Sequence, residues 1–168
     1  MSLPERRNMH TIIETRQDDY LISTDPAKLD ATAVHAFLTG VYWCQGISKA
    51  LIEKALDNSL CFGLYHRDRE QVGLSRVVTD YATYAYLCDV YVLEAHRGKG
   101  LGHWMVECIM THPDLQNLRR FTLATRDAHG IYAAFGFTPP KAPERQMERH
   151  DPDVYKRLAV EVERGTKK

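Results

Sequence analysis

The chain has 168 residues, of which 44% are hydrophobic and 26% are charged, and its formal net charge is zero. This size and composition are typical of one globular domain with an adequate core. A neutral chain lacks the positive field that attracts nucleic acid or an anionic membrane, so we expect neither as a partner. The opening residues are polar and no apolar stretch approaches transmembrane length, which argues against a signal peptide and a membrane span.

The first half of the chain predicts a strand followed by two helices. Residues 20–23 form the apolar run of the strand. Asp30 and Ser48 are expected to be helix N-caps, because each precedes apolar residues at three- and four-residue spacing. An aromatic-rich connector at 41–46 joins the two helices.

The second half predicts a meander of strands and then two strand–helix alternations. The expected strands are 60–65, 71–78, 84–92 and 121–124, and the expected helices are 101–109, 128–135 and 154–162. An edge strand is also expected around 145–149. Together these elements predict a mixed α+β fold with one sheet.

Cysteine and histidine side chains are scattered. The four cysteines, Cys44, Cys61, Cys88 and Cys108, show no close pairing, and three of the four lie in apolar strand or helix patterns. We interpret them as reduced thiols of a cytoplasmic protein. The eight histidines form none of the short metal-binding strings, so we expect no metal.

The most informative stretch is the junction between the strand at 84–92 and the helix after it. Glycines at 98, 100 and 102 let the main chain curl and let an anion approach without Cβ atoms in the way. The first turn of a helix also has N–H groups without internal partners and partial positive charge. With Arg97 and Lys99 beside it, this turn is predicted to bind a phosphate group, most simply a pyrophosphate. An ordinary glycine turn with two solvated cations is the alternative.

The spacing narrows the identity of the phosphate ligand. Neither the Walker A string nor Gly-x-Gly-x-x-Gly occurs here. Arg97-x-x-Gly100-x-Gly102 instead resembles the acyl-CoA pyrophosphate loop of the GNAT superfamily of N-acetyltransferases. A second stretch, Ala128-x-x-x-Tyr132-x-x-x-Gly136-Phe137, resembles the motif Ala-x-x-x-Tyr-x-x-x-Gly-Phe of the same superfamily.

This resemblance implies a GNAT-like acyl-CoA N-acyltransferase fold, in which a central, mostly antiparallel sheet with splayed strands is flanked by helices. It covers roughly residues 20–150, so we interpret 18–168 as a single N-acetyltransferase domain after a loose N-terminal arm at 1–17. The implied activity is direct transfer of an acetyl group from acetyl-CoA to a primary amine of a small-molecule or peptide acceptor. A non-catalytic acyl-CoA sensor or interaction module on the same fold stays open, as does a homodimer through residues 154–162.

The resemblance also implies roles for individual residues. The coenzyme-binding set comprises Val90, Tyr91, Val92, Arg97, Gly98, Lys99, Gly100, Leu101 and Gly102, of which the first three act through main-chain atoms. Tyr132 is implied to face the CoA sulfur, and a phenol of pKa about 10 is protonated at neutral pH and can donate to a thiolate. A tyrosine that only packs in the core is the alternative. The asparagine often found three residues before the motif's alanine is Thr125 here.

The sequence indicates the catalytic base and the acceptor pocket less clearly than the coenzyme-binding residues. Asp89 lies on an otherwise apolar strand, where a carboxylate either has a buried partner or faces a cleft, and it is our candidate catalytic base. Glu94 and water are the alternatives. By resemblance, the acceptor pocket includes Tyr42, Trp43 and Arg76. The Arg76 guanidinium either holds an acceptor carboxylate or pairs with Asp80.

Overall fold

The computed structural model describes residues 10–67 and 69–165, which form one sheet flanked by helices. The strands are β1 (Glu14–Gln17), β2 (Tyr20–Ser23), β3 (Leu60–His66), β4 (Glu70–Thr79), β5 (Tyr84–Val92) and β6 (Arg120–Leu123). The helices are α1 (Ala31–Leu38), α2 (Lys49–Asp57), α3 (Leu101–Thr111), α4 (His129–Ala133) and α5 (Val154–Gly165). The strands lie in chain order, and neighbours are antiparallel except β5 and β6, which are parallel. The predicted α+β fold is confirmed.

The loose arm predicted at 1–17 is wrong at its C-terminal end. Glu14–Gln17 is strand β1, which pairs with β2 at the edge of the sheet. Asp18 has a left-handed φ of 51° and, with Asp19, forms the tight turn between the two strands. Three of the four β1 side chains are exposed, so this polar edge strand lacks the apolar alternation from which strands are predicted. Residues 1–9 of the arm lie outside the described residues.

Both predicted N-caps are confirmed. The Asp30 carboxylate accepts hydrogen bonds from the N–H groups of Thr32 and Ala33, each at 2.9 Å, and so begins α1. The Ser48 hydroxyl accepts from the Leu51 N–H at 3.3 Å and begins α2. These bonds satisfy N–H groups that the helices cannot pair internally.

Apolar side chains cover both faces of the sheet. On one face α3 and α4 bury a cluster that contains Phe62 and Met105, both fully inaccessible to solvent. On the other face α1 and α2 cover a second cluster that contains Leu74 and Tyr91. Phe37 of α1 stacks on the Tyr91 ring, with 3.8 Å between ring centroids and 12° between planes. Because both faces are covered, the central strand β3 is buried from Leu60 to Tyr65 rather than alternating between buried and exposed residues.

Strand β5 separates from β6 halfway along its length. The parallel pairing ends at Leu87 and Leu123, where β6 also ends, whereas β5 continues to Val92. On its other side, the pairing of β5 with β4 slips at Asp89, which has a left-handed φ of 52°. This irregularity is a β-bulge, which bends and twists a strand locally. In the described structure, residues 88–92 therefore have an open side.

The C-terminal segment departs from one prediction and agrees with another. The edge strand predicted around 145–149 is wrong: a single 3-10 turn spans Pro143–Arg145, and no sheet pairing follows it in the described segment. Met147 is the one apolar side chain in that stretch and is 99% exposed, so burial does not stabilise a strand there. The predicted last helix is confirmed as α5, and a homodimer through it stays a prediction. Within the described ranges, no helix combines the length and apolar content needed to cross a bilayer.

Candidate active site

The glycine turn before α3 has an open, uncapped helix N-terminus. Gly98 and Gly100 have left-handed φ values of 75° and 74°, a conformation that costs other residues strain. Gly100 is the N-cap of α3 and supplies no side-chain hydrogen bond to the first turn. A Cβ atom placed on Gly98, Gly100 or Gly102 would meet no other atom within 4 Å. The N–H groups of this turn are thus available to an anion, which the helix dipole favours.

The two cations of the turn bind other parts of the protein. The Arg97 Nε donates to the main-chain oxygen of Val92 at 2.9 Å. The Lys99 ammonium donates to the Tyr20 hydroxyl at 3.0 Å and lies 5.4 Å from the centroid of its ring. The same hydroxyl is hydrogen-bonded to His96 Nδ1 at 2.9 Å. Strand β2 therefore anchors the turn, a contact that sequence reasoning missed because nothing local connects residues 79 positions apart.

The open side of β5 exposes alternate main-chain groups. The Leu93 N–H donates to the Val72 oxygen at 2.8 Å, so the main-chain groups of Leu93 face β4. Because these groups alternate in direction along a strand, those of Val92 point away from β4 and those of Tyr91 point toward it. Val90, two residues before Val92, presents its groups on the open side. Of the three predicted coenzyme-binding strand residues, Val90 and Val92 face the open side, whereas Tyr91 pairs with β4.

Tyr132 is a buried residue of α4 and is 9% exposed. Its hydroxyl has no hydrogen-bond partner among the described residues, and burial raises the pKa of this phenol above its ordinary value. The side chain lines a cavity of about 800 Å³ between β6, α4 and the segment that follows α4. A neutral phenol with a free O–H group is a suitable proton donor.

Two contacts place α4 relative to its neighbours. The ring of Phe135, just after α4, lies 4.7 Å from that of His103 in the first turn of α3. The Thr125 hydroxyl accepts from the Ala128 N–H at 3.0 Å, so threonine at the family's usual asparagine position orders the start of α4. The two stretches that resemble GNAT motifs therefore lie side by side.

Asp89 and Arg76 form an ion pair at the bulge of β5. The Arg76 Nε donates to Asp89 Oδ2 at 2.7 Å, and the two side chains are 19% and 7% exposed. The Trp43 indole N–H donates to the other carboxylate oxygen at 3.2 Å, and Arg76 also donates to the Ser59 hydroxyl at 3.0 Å. The sequence predicted that Asp89 either has a buried partner or faces a cleft, and the structure shows a buried partner, Arg76.

Asp80, the partner considered for Arg76, has a different role. Its carboxylate accepts from the N–H groups of Ala82 and Thr83 at 3.0 and 2.8 Å and from the Thr83 hydroxyl at 2.6 Å. Asp80 therefore shapes the β4–β5 turn, as aspartate often does in turns. The suggested pairing of Arg76 with Asp80 is wrong.

The aromatic connector between α1 and α2 reaches the same region. Tyr42 and Trp43 are 65% and 44% exposed, and their rings make an edge contact with 4.9 Å between centroids. The guanidinium of Arg126, just after β6, lies over the Tyr42 ring at 4.9 Å. Trp43, Arg76 and Asp89 are thus in direct contact, and Tyr42 lies at their outer side. The sequence did not single out Arg126, because an arginine in a polar loop has no distinguishing pattern.

The thiols in this region are protonated at neutral pH. Burial raises the pKa of Cys44, Cys61 and Cys88 to about 12. A thiol of this kind is a poor nucleophile, because the thiolate is the reactive form. Across the part of the chain that the structure describes, no three His, Cys, Asp or Glu side chains are grouped to hold a metal ion.

Comparisons with known proteins agree with this geometry. The profile of the acetyltransferase (GNAT) domain matches residues 57–139. A candidate acetyltransferase of Gibberella zeae is 39% identical in an alignment 136 positions long, which covers 68% of this chain and 76% of the relative. The crystal structure of a candidate GNAT acetyltransferase from Xanthomonas campestris is 50% identical with a TM-score of 0.78, covering 81% of this chain and 96% of that one. A GNAT acetyltransferase from Elizabethkingia anophelis with acetyl-CoA bound shares the fold, with a TM-score of 0.57 at 14% identity over 79% of this chain and 88% of that one.

Proposed function

Because the chain belongs to the GNAT family of acetyltransferases, we propose that it transfers an acetyl group from acetyl-CoA to a primary amine. The observation that carries this proposal is the junction of β5 and α3. There an uncapped helix N-terminus adjoins a strand whose main chain is open on one side. An elongated ligand with a diphosphate at one end and amides along its length matches both features.

The donor is proposed to bind along this junction. Its diphosphate lies against the N–H groups of the glycine turn, with Arg97 and Lys99 as counter-charges. Its pantetheine amides pair with the main chain of Val90 and Val92. One helix-end contact contributes about 0.3–2 kcal/mol, so several contacts together supply much of the roughly 8 kcal/mol that micromolar binding requires.

The chemical step is proposed to be a direct transfer. The amine nitrogen attacks the thioester carbonyl carbon, the new C–N bond forms, and the C–S bond breaks. Tyr132 donates its phenolic proton to the departing sulfur, and the proton that the nitrogen loses as the amide forms restores the phenol through water. Its unpaired hydroxyl and raised pKa support this role, because the phenol stays protonated at neutral pH. The protonated thiols in the region argue against a cysteine-bound acyl group.

Asp89 is proposed to position the acceptor side. Arg76 and Trp43 each donate a hydrogen bond to one of its carboxylate oxygens, so the carboxylate is engaged by protein donors rather than by the acceptor ammonium. The acceptor ammonium therefore loses a proton to water and attacks as the neutral amine, while exposed Glu94 is the other candidate proton acceptor. The bulge at Asp89 orients the main chain of β5 beside the acceptor pocket.

Thermal denaturation tests the choice of ligand. A ligand present at 100 times its Kd stabilises the folded protein by about 2.7 kcal/mol, which for a chain of this size is roughly 5–11 °C in Tm. We expect acetyl-CoA to produce a shift of this order and ATP and NAD to produce less. A larger shift with ATP or NAD would show that the proposed ligand is wrong.

Turnover is tested by release of free CoA across a library of primary amines. With an amine that supports turnover, Tyr132→Phe is expected to lower kcat by about 10²–10⁴, because it removes the proton donor. Tyr65→Phe is the matched control: this tyrosine is also buried, and its hydroxyl is unpaired in the described structure. Binding of acetyl-CoA without CoA release for any amine would identify a non-catalytic acyl-CoA-binding protein. Unchanged turnover in Tyr132→Phe would remove Tyr132 as the acid.

A further inference from the structure

The side chain of Arg97 is hydrogen-bonded to a main-chain oxygen of β5 that the donor is proposed to use. Its Nε–H donates to the Val92 oxygen at 2.9 Å, and that oxygen points to the open side of β5. The guanidinium therefore stands where the pantetheine arm would lie. The arginine and a pantetheine amide N–H therefore compete for the same carbonyl.

We propose that Arg97 couples recognition of the two ends of coenzyme A and so selects complete coenzyme A thioesters over shorter pantetheine thioesters. This inference rests on the proposed function. A diphosphate offers the guanidinium an anionic partner in exchange for the neutral Val92 carbonyl. Hydrogen bonds between two charged groups are stronger than those to a neutral acceptor, so the exchange is favourable.

A pantetheine fragment provides no such exchange. It displaces Arg97 from Val92 without giving the guanidinium an anion, and its affinity is lowered by the strength of the lost bond. The diphosphate end of coenzyme A, by contrast, removes the arginine from the path of the pantetheine end. The two ends of the complete ligand therefore bind cooperatively, as expected when one contact releases the site of another.

Lys99 provides a matched control within the same turn. It carries the same charge and lies two residues away, but its ammonium binds the Tyr20 hydroxyl at 3.0 Å rather than a main-chain group of β5. Removal of Lys99 takes away a diphosphate partner without opening the strand. Of these two cations, only Arg97 is expected to strengthen binding of the diphosphate end and to weaken binding of the pantetheine end.

Isothermal titration calorimetry with coenzyme A and with pantetheine tests this proposal. We expect Arg97→Ala to bind coenzyme A on the order of 10-fold more weakly, because a charge-assisted contact is lost. The same variant is expected to bind pantetheine roughly 3- to 10-fold more tightly, because the Val92 carbonyl is vacated. Lys99→Ala should weaken coenzyme A binding and leave pantetheine binding unchanged.

A second variant separates charge from the blocking contact. Arg97→Lys keeps the positive charge but lacks the Nε–H donor. Its affinity for pantetheine should therefore rise as in Arg97→Ala, whereas its affinity for coenzyme A should fall less than in Arg97→Ala. Pantetheine binding that is unchanged or weaker in both variants overturns the inference, whatever happens to coenzyme A. If the unaltered protein binds no coenzyme A, the proposed function fails instead.

Discussion

Replacement of Arg76 by methionine tests the ion pair at the β5 bulge. The substitution keeps most of the volume of the side chain but removes the hydrogen bonds to Asp89 and Ser59. It leaves the Asp89 carboxylate, only 7% exposed, with Trp43 as its remaining partner among the described contacts. A buried charge without its counter-ion is strongly destabilising.

The magnitude follows from the burial of the pair. Breaking a buried ion pair by removing one partner costs about 3–5 kcal/mol. Because Arg76 is itself 19% exposed, water reaches part of the site, and we expect the lower end of that range, about 3 kcal/mol. For a chain of this size, that loss corresponds to a Tm about 6–12 °C lower.

The assay is urea denaturation of Arg76→Met, Asp89→Asn and the double variant. Asparagine tolerates the left-handed backbone at position 89, so Asp89→Asn changes mainly the charge. The double variant buries neither charge and should be more stable than Arg76→Met alone. Lys28→Met is the control, because Lys28 and Glu14 form an exposed ion pair that should contribute at most about 0.5 kcal/mol.

Additive free energies would refute this reasoning. If the cost of the double variant equals the sum of the two single costs within about 0.5 kcal/mol, Arg76 and Asp89 do not interact energetically. A loss below about 1 kcal/mol for Arg76→Met would likewise show that the carboxylate keeps its hydration.

Three further predictions concern the glycine turn, the phenol and the carboxylate. Gly100→Ala should lower the free energy of unfolding by about 1–2 kcal/mol, and Tm in calorimetry with it, because Gly100 has a left-handed φ. Gly102→Ala, in the first turn of α3, should leave Tm unchanged or slightly higher, and equal losses in the two variants would contradict this prediction. Since burial raises the pKa of Tyr132, the phenol stays protonated to higher pH than a free phenol, so a decline of kcat that depends on Tyr132 should be centred above the ordinary pKa of a phenol; a decline centred near pH 8 that vanishes in Tyr132→Phe would refute this prediction. Asp89→Asn should keep the low-pH decline of kcat/KM, because water rather than Asp89 takes the ammonium proton; loss of that decline would identify Asp89 as the base.

The elements that the sequence predicted well are those with strong local signals. Asp30 and Ser48 are confirmed caps because capping depends on a few adjacent residues. The long strand that ends at Val92 and the helix that begins at Leu101 are confirmed for the same reason. Strand β1 was missed because a polar edge strand is stabilised by its neighbour's main chain rather than by burial.

The contacts within the candidate site depend on tertiary structure, and the sequence predicted them less well. Arg76 and Asp89 were each singled out, but their pairing depends on the register of β4 and β5 and on a bulge with no local signature. Tyr20 and Arg126 were not selected, because their contacts with Lys99 and Tyr42 join distant parts of the chain. The roles of these residues in binding and transfer stay predictions.

The hydrogen bond from Lys99 to Tyr20 has a consequence for where the functional unit begins. The domain profile matches from residue 57 onward, yet the lysine of the glycine turn is hydrogen-bonded to Tyr20, which lies before the matched region. A fragment that starts at 57 would keep every glycine of the turn and lose this support, together with the Phe37 ring that stacks on β5. We therefore predict that a fragment that keeps the conformation of the glycine turn must include the first hairpin, β1 and β2.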